Sequence, residues 1–400
     1  MGGMIADAPA PAPAPAPEPV AGAPAAPAVP LADPHFHAVI PAGGSGTRLW
    51  PVSRAHAPKF LHDVLGVGRS LLQSTWDRVE ALVSPDRITV VTGAPHVQAV
   101  REQLPRLGAD RILAEPSPKD SAAAIGLAAM LIADEDPDAI IGSFSADHSI
   151  TNVDEFTAVI AQACAAATGG DIVTIGITPT YPATAYGYIR TGPLLALPEA
   201  PTARRALAFV EKPAAGRARE YTYSGSYRWN AGMFIARADA LLAVMAEQAP
   251  ELHAGLREIA DAAPGAERER VLAEVWPGLE KKAIDYVVAE PAAAAGRVVV
   301  IPGDFGWDDV GDFDSVAKLR QPVRGEEHGV FSVGREVDVV DIDASGVVMS
   351  DQDRLIAIVG LHDVVVVDTA DALLVAARSH AQDVKRAVAR AAEIGREDVL

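Results

Sequence analysis

The chain has a single cysteine, Cys164, in 400 residues, which excludes an internal disulfide framework and any zinc centre built on several thiolates. No apolar run approaches the roughly 18–20 residues that cross a bilayer, so no membrane span and no membrane partner are expected. Positive charge is scarce: 34 Lys and Arg stand against 53 Asp and Glu, a formal net charge of −19. Nucleic-acid backbones are held chiefly by cationic patches, so nucleic acid is excluded as the main partner. The histidines contain no His-x-x-His or His-Glu-x-x-His pair, which removes a zinc-hydrolase reading. Aromatics are few, yet hydrophobic residues reach 49%, ample for a core. What remains is an acidic, soluble protein expected in the cytoplasm, long enough for two or three domains.

Lys and Arg are also missing from the whole stretch before Arg48, and residues 1–34 are dominated by Ala and Pro, alternating from Ala8 to Pro17. Proline fixes φ and removes a backbone donor, so this segment is expected to be an extended, disordered tail. It lacks the basic start and apolar centre of a secretory signal, and Ala6 stands where myristoylation wants Ser or Thr.

From Phe36 onward, strand-like and helix-like segments alternate. Strands are expected at 36–42, 87–92, 111–114, 139–145 and 171–177, with helices at 70–83, 96–104, 121–133 and 153–167. Such alternation predicts an α/β, Rossmann-like, mostly parallel sheet with helices on both faces, whose ligands bind beyond the carboxyl ends of the strands. After Gln321 come six short β-like runs and a terminal amphipathic helix from about Ala381. Their spacing suits a β-helix-like coil, so the expected division is a tail at 1–34, a catalytic domain at 35–320 and a small β-rich domain at 321–400. Cys164 falls on the apolar face of its helix with Phe156, Ile160 and Ala167 and reads as core.

The strand at 36–42 runs into Gly43-Gly-Ser-Gly-Thr-Arg48. Glycines let backbone N–H groups approach phosphates, and Arg48 adds a permanently charged fork. The loop is not the dinucleotide fingerprint, because Leu49 stands where the third glycine belongs, and no Gly-Lys-Ser/Thr makes it a Walker loop. Alone it serves equally as a tight strand-to-helix turn. Leu49-Trp-Pro-Val-Ser-Arg54 and Pro58-Lys59-Phe60 follow, so a second cation, Lys59, lies a short loop from Arg48. Two cations beside a glycine loop suit a triphosphate.

Together, 43–54 and Pro58-Lys59 resemble the signature of sugar-1-phosphate nucleotidyltransferases, in the variant carried by mannose-1-phosphate guanylyltransferases. Further blocks resemble that family in order. They are Glu115-Pro-Ser-Pro-Lys-Asp-Ser-Ala-Ala-Ala124, Ser145-Ala-Asp-His148, Gly176–Pro179, Ala185-Tyr-Gly-Tyr-Ile189, Phe209-Val-Glu-Lys-Pro213, Trp229-Asn-Ala-Gly-Met-Phe234, Ala283–Tyr286, Trp307-Asp-Asp-Val-Gly311 and Val367-Asp-Thr-Ala-Asp-Ala-Leu-Leu374. The match covers about Phe36 to Lys385.

The resemblance implies GMP transfer from GTP to mannose 1-phosphate with Mg2+ as cofactor. It assigns the nucleotide to Ala42, Gly43, Gly44, Gly46, Thr47, Glu115 and Ser121, and the metal to Asp147 and Asp309. Charge handling falls to Arg48, Lys59 and Lys212. The sugar phosphate falls to Tyr186, Gly187, Glu211, Lys212 and Asn230. Read without the family, Asp147 is a turn-forming Asp, Glu211-Lys212 a solvated pair, Tyr186 a core aromatic, and Asp308 competes with Asp309. Asn230 between apolar neighbours is the hardest to dismiss, because burial demands partners. His148, beside Asp147, reads as a loop-structuring residue.

At 119–121 the family's Arg-Asn-Thr is replaced by Lys119-Asp120-Ser121, and the Asn-to-Asp change bears on hydrogen-bond donation to the nucleotide. No cupin-like segment follows the β-rich region, so phosphomannose isomerase activity is not expected. Homodimerisation through the C-terminal domain is a family-level expectation. Two alternatives share the sequence: the same chemistry with another sugar, such as glucose, or another nucleotide, and a non-catalytic nucleotide-sugar-binding subunit.

Overall fold

The computed structural model describes residues 33–44, 46–320 and 329–400. The Ala/Pro-rich tail lies outside them except for Asp33 and Pro34, as does the expected boundary at 321.

In chain order the strands of the first part are β1 (Phe36–Ala42), β2 (Ile88–Gly93), β3 (Ile112–Glu115), β4 (Ile140–Ser143), β5 (Ser149–Ile150), β6 (Ile172–Ile177), β7 (Tyr188–Leu194), β8 (Arg204–Val210), β9 (Tyr227–Arg237), β10 (Val298–Gly303) and β11 (Trp307–Asp308). Nine of them form one sheet in the order β3-β2-β1-β4-β9-β6-β10-β8-β7. The first four are parallel, as the strand–helix alternation predicts. Beyond β4 the sheet is mixed: β9 runs antiparallel to β4, β6 and β7, and β7 antiparallel to β8. The stretch 195–203 between β7 and β8 is too short for the crossover of about a dozen residues that a parallel pairing needs.

Both faces of the sheet are covered, and β1 shows it residue by residue. Ala38 and Ile40 pack with Trp76, Phe156, Ile160, Cys164 and Ala167 on one side, while Val39 packs with Ile125, Met130, Met245 and Trp276 on the other. Alternate residues of a strand point to opposite faces, so a doubly covered strand reads as an apolar run. Helix Leu71–Glu80 starts at a capping box in which Ser70 and Gln73 satisfy each other's backbone N–H groups. Helix Ser121–Glu135 is small and apolar nearly all round, which lets it lie between the sheet and helices Ala238–Gln248 and Pro250–Asp261.

The C-terminal strands are β12 (Val330–Ser332), β13 (Val339–Ile342), β14 (Gly346–Ser350), β15 (Ile356–Val359), β16 (Val364–Asp368) and β17 (Leu373–Ala377). β12, β14 and β16 stack in parallel, and β13 and β15 form a second parallel stack, so the chain coils between two faces. β17 closes the coil antiparallel to β16, and helix Val384–Glu393 follows. A separate apolar core joins this coil to the first part: Leu49, Leu71, Val310 and Phe313 pack with Val333, Val347, Val365, Leu374 and Val384. Each fully buried side chain of this kind contributes roughly 1.5–3 kcal/mol. The loops after β1 and β11 are therefore seated on the coil.

Candidate active site

The glycine loop leaves the carboxyl end of β1, where the Ala42 carbonyl accepts a 2.9 Å hydrogen bond from the Thr92 hydroxyl. Gly43 and Gly44 are exposed, and Gly46 sits at φ +56, where a Cβ would come within 2.9 Å of the Lys59 Cβ. Glycine is required there for both reasons. Thr47 and Arg48 lie on the single turn Thr47–Leu49. The Arg48 Nε is buried and has no hydrogen-bond partner among the described residues.

Asp147 and Asp309 are brought together by a short antiparallel pairing. β5 pairs with β11 so that Ser149 faces Asp308, and each aspartate lies just outside that pairing. The Lys59 ammonium binds both sides, 2.9 Å from the Asp147 carboxylate and 2.9 Å from the Asp309 carbonyl. Burial opposes the charge on Asp147, but Lys59 overcomes it and holds the carboxyl below the usual range. The Tyr186 hydroxyl donates to Asp309 Oδ1 at 2.8 Å, and burial beside that carboxylate raises the phenol's pKa. Tyr186 is thus the partner that orients Asp309, with its own ring buried.

Asp308 has a different job. Its carboxylate accepts from the Val310 N–H at 2.7 Å, and burial pushes it up to about 6. That bond holds Val310 at φ +48, a left-handed conformation costly for a β-branched residue. His148 accepts the Trp307 indole N–H at Nδ1, 3.2 Å away, so the neutral ring carries its proton on Nε2. Burial favours that neutral form.

The residues expected to take the sugar phosphate meet where β7, β8 and β9 lie side by side. Gly187 precedes β7, Glu211 follows β8, and Asn230 lies in β9, its N–H bonded to the Gly187 carbonyl at 2.8 Å. A Cβ on Gly187 would come within 2.5 Å of Glu211 Oε2 and 3.3 Å of the Asn230 Cβ, so the three converge. Glu211 is only 7% exposed and its Oε1 pairs with Lys212 at 2.9 Å, which is not a solvated surface pair. Its Oε2 is buried with no hydrogen-bond partner among the described residues. Lys212 stands at φ +46, its side chain more exposed, its pKa raised by Glu211 against the effect of burial. The Asn230 amide oxygen accepts from Thr174 and its Nδ2 donates to Asp285, both at 2.8 Å.

Tyr186, Gly187, Glu211, Asn230, Asp309 and Ser121 line one cavity of about 200 Å³. Arg48, the glycine loop and Glu115 stand outside its lining, along the carboxyl ends of β1 and β3. Glu115 Oε1 is buried without a partner among the described residues, and burial together with Asp120 pushes this carboxyl up to about 7. The substituted triplet is tied to its neighbours by hydrogen bonds, with Asp120 exposed and Ser121 at the cavity wall. Lys119 donates to the carbonyls of Pro277 and Leu279 at 2.6 and 2.7 Å, Asp120 caps the Ser121 N–H, and the Ser121 hydroxyl accepts from the Ile284 N–H. Among the described residues no three His, Cys, Asp or Glu side chains converge as a metal cage.

Residues 37–324 match the Nucleotidyl transferase family, and residues 337–390 match the MannoseP isomerase/GMP-like beta-helix domain. The chain belongs to the nucleotidyl transferase family. It is similar to the mannose-1-phosphate guanylyltransferase of Escherichia coli, at 35% identity over 92% of this chain and 76% of that one. The xanthan biosynthesis protein XanB of Xanthomonas campestris is 37% identical over 90% of this chain and 74% of its own. A crystal structure named as a mannose-1-phosphate geranyltransferase from Thermus thermophilus superposes with a TM-score of 0.78 at 32% identity, covering 89% of this chain and 99% of that one. The resemblance of the sequence blocks to mannose-1-phosphate guanylyltransferases is thereby borne out, as is the α/β fold with a β-helix-like C-terminal domain.

Three contributors to this nucleotidyl transferase's site were not singled out from sequence. Asp285 opens a π-helical turn and is pushed up to about 7, by burial first and by Glu211 second. Trp307 fixes the His148 ring. Arg78, buried on helix Leu71–Glu80, donates to the His148 carbonyl at 2.9 Å, and burial lowers it to about 10. An arginine on a helix otherwise aimed at the core was the available signal for Arg78, since a buried charge must find a partner.

Proposed function

We propose that the chain transfers GMP from GTP to mannose 1-phosphate, giving GDP-mannose and pyrophosphate. The observation that carries this reading is the set of unmet polar atoms at three of the expected residues: a buried donor at Arg48 Nε and buried acceptors at Glu115 Oε1 and Glu211 Oε2. Each such group costs about 1–3 kcal/mol while unpaired, so a ligand that complements it binds with that gain. Arg48 asks for a phosphate oxygen. Glu211, beside the Asn230 amide, asks for a sugar hydroxyl. Glu115, near the end of the sheet edge, suits a base with adjacent N–H donors, which guanine presents at N1 and N2 and adenine does not.

The reaction joins two polyanions, so the protein supplies neutralisation and alignment rather than a nucleophile. A non-bridging oxygen of the sugar phosphate attacks the α-phosphorus. The new P–O bond forms as the bond to the α–β bridging oxygen breaks, and pyrophosphate leaves with that electron pair. Arg48 and Lys59 hold the triphosphate and meet the charge that develops on pyrophosphate, while Lys212 holds the attacking phosphate. Asp147 and Asp309 would hold Mg2+ through their hard carboxylate oxygens, the ligand type that ion prefers. When bound there, Mg2+ supplies charge neutralisation at the phosphate oxygens. One phosphoanhydride replaces another, so the reaction runs readily in both directions.

Free GTP as substrate fits a cytoplasmic setting, and among the described residues no helix is long and apolar enough to cross a membrane. Exposed Val340, Ile342 and Val359 on the paired strands β13 and β15 support pairing of two copies there, which sedimentation velocity tests. The function itself is tested by pyrophosphate release across four nucleoside triphosphates and several sugar 1-phosphates. GTP with mannose 1-phosphate should dominate the matrix by kcat/KM; dominance of another pair would replace the substrate assignment, and binding without release would leave a non-catalytic subunit.

A further inference from the structure

The signature segment ends in Arg54, and the triphosphate reading uses only its other cations. Arg54 does not face the Asp147–Asp309 pair. Its guanidinium forks onto Asp371 in the turn between β16 and β17, with both N–H···O distances 2.6 Å, and its Nε donates to the Pro51 carbonyl at 2.9 Å. The Arg54 side chain is 10% exposed, so this is not an ordinary surface pair. Asp371 is held down to about 2, by Arg54 first of all. Both partners come from blocks that resemble the family signature, one at each end of the chain.

We propose that Arg54 is a positioning residue: through Asp371, the C-terminal coil fixes the loop that sets Lys59 between Asp147 and Asp309. Three features carry this. First, loop 50–58 links the turn bearing Arg48 to Lys59, and it folds tightly enough that Gly46 abuts both Ser53 and Lys59. Second, the loop is closed by reciprocal backbone bonds between Arg54 and Ala57, so a shift at Arg54 is passed along it. Third, a cavity of about 540 Å³ lies between this loop and the coil, bordered by Val52, Arg54, His56, Met349 and Asp371. Trp50 and Val52 seat the start of the loop on the apolar core it shares with the coil, and beyond them the ion pair ties the loop to the coil across the cavity. The Asp309 side has a matching strut, since Arg378 after β17 donates to Asp314 at 2.8 Å. Misplacement of reacting groups by about 1 Å costs up to roughly 100-fold in rate, so a lost strut is visible in kcat.

The inference rests on the proposed GMP transfer for its assay. If the wild-type chain releases no pyrophosphate from GTP and mannose 1-phosphate, that reading fails first, whatever Arg54 does. With an active wild type, Arg54→Met and Asp371→Asn are compared with the paired exchange Arg54→Glu, Asp371→Arg, in full-length protein. The expected result is a fall in kcat of about 10- to 100-fold for each single variant, a smaller change in KM for mannose 1-phosphate, and recovery of at least about tenfold in the exchange. Unchanged kcat in folded Asp371→Asn overturns the proposal. So does a loss of Tm alone, with normal turnover per folded molecule, which is the signature of a merely structural contact. Asp371 is half-exposed, so its neutral variant keeps the test alive should Arg54→Met fail to fold.

Discussion

Lys59 and Asp147 form an ion pair at 2.9 Å, and the same ammonium is bonded to the main chain of Asp309, 250 residues further along. One side chain therefore ties the glycine-loop region to both expected metal carboxylates. Lys59→Met should lower kcat/KM for GTP by about 100-fold or more, measured by pyrophosphate release. It should also destabilise the fold at pH 7 by about 3 kcal/mol, since the largely buried Asp147 carboxylate is left without its counter-charge. The sign with pH follows from the depressed Asp147 pKa. The pair stabilises fully above the ordinary carboxylate value of 3.8 and is lost as pH falls through the lower folded value. Denaturant titrations should show the two proteins converging at acid pH; a gap that persists at low pH would mean that packing, not charge, sets the difference.

Asp309→Asn keeps the shape and the bond from Tyr186 while removing a charge. We expect kcat to drop by about 100-fold or more with an unchanged circular dichroism spectrum and melting temperature. Asp308→Ala is the internal control: its carboxylate caps Val310, so loss of that cap should cost about 1 kcal/mol of stability and much less rate. If the two variants exchange phenotypes, the metal carboxylate is Asp308.

Much of this layout was legible in the sequence because it rests on local rules. The apolar runs of β1, β4 and β6 and the glycine loop each announce themselves within a few residues. Helix Val153–Ala167 falls where its periodicity places it. The antiparallel insertion of β9 was not legible, because strand order depends on contacts between segments far apart in the chain. The same holds for Asp285. Its partners, Asn230 and Glu211, lie dozens of residues away, and nothing about an aspartate before a tyrosine signals a buried carboxyl. Glu211-Lys212 shows the reverse limit: the residues were visible, but only the fold reveals that the glutamate is buried while the lysine reaches outward.

Gly187→Ala tests the sugar end by volume alone. The new methyl would crowd Glu211 Oε2 and fill the space between it and Asn230. KM for mannose 1-phosphate should rise by about tenfold or more, with KM for GTP nearly unchanged. Glu211→Gln removes the unmet acceptor's charge instead, and should weaken discrimination between mannose 1-phosphate and its epimers by about 10- to 100-fold in relative kcat/KM. Equal losses for every sugar phosphate would show that Glu211 holds the loop and does not read a hydroxyl.

Glu115 makes base selectivity depend on pH. With its carboxyl pushed up to about 7, it is largely neutral at pH 6 and anionic at pH 8. The anion accepts from both N1–H and N2–H of guanine; the neutral acid offers one donor and one acceptor, a pattern that suits adenine. The preference for GTP over ATP in kcat/KM should therefore grow between pH 6 and 8, by up to about tenfold. Glu115→Gln, locked in a donor-and-acceptor state, should lose that slope. Stability moves the other way. The folded pKa lies above the ordinary 4.5, so the fold retains a proton that the unfolded chain releases, and stability is lost as pH rises from 4.5 through about 7. Glu115→Gln should melt higher than wild type at pH 8 and alike at pH 4. A GTP preference that stays flat across this range in the wild type would remove Glu115 from the base and leave it an ordinary buried carboxyl.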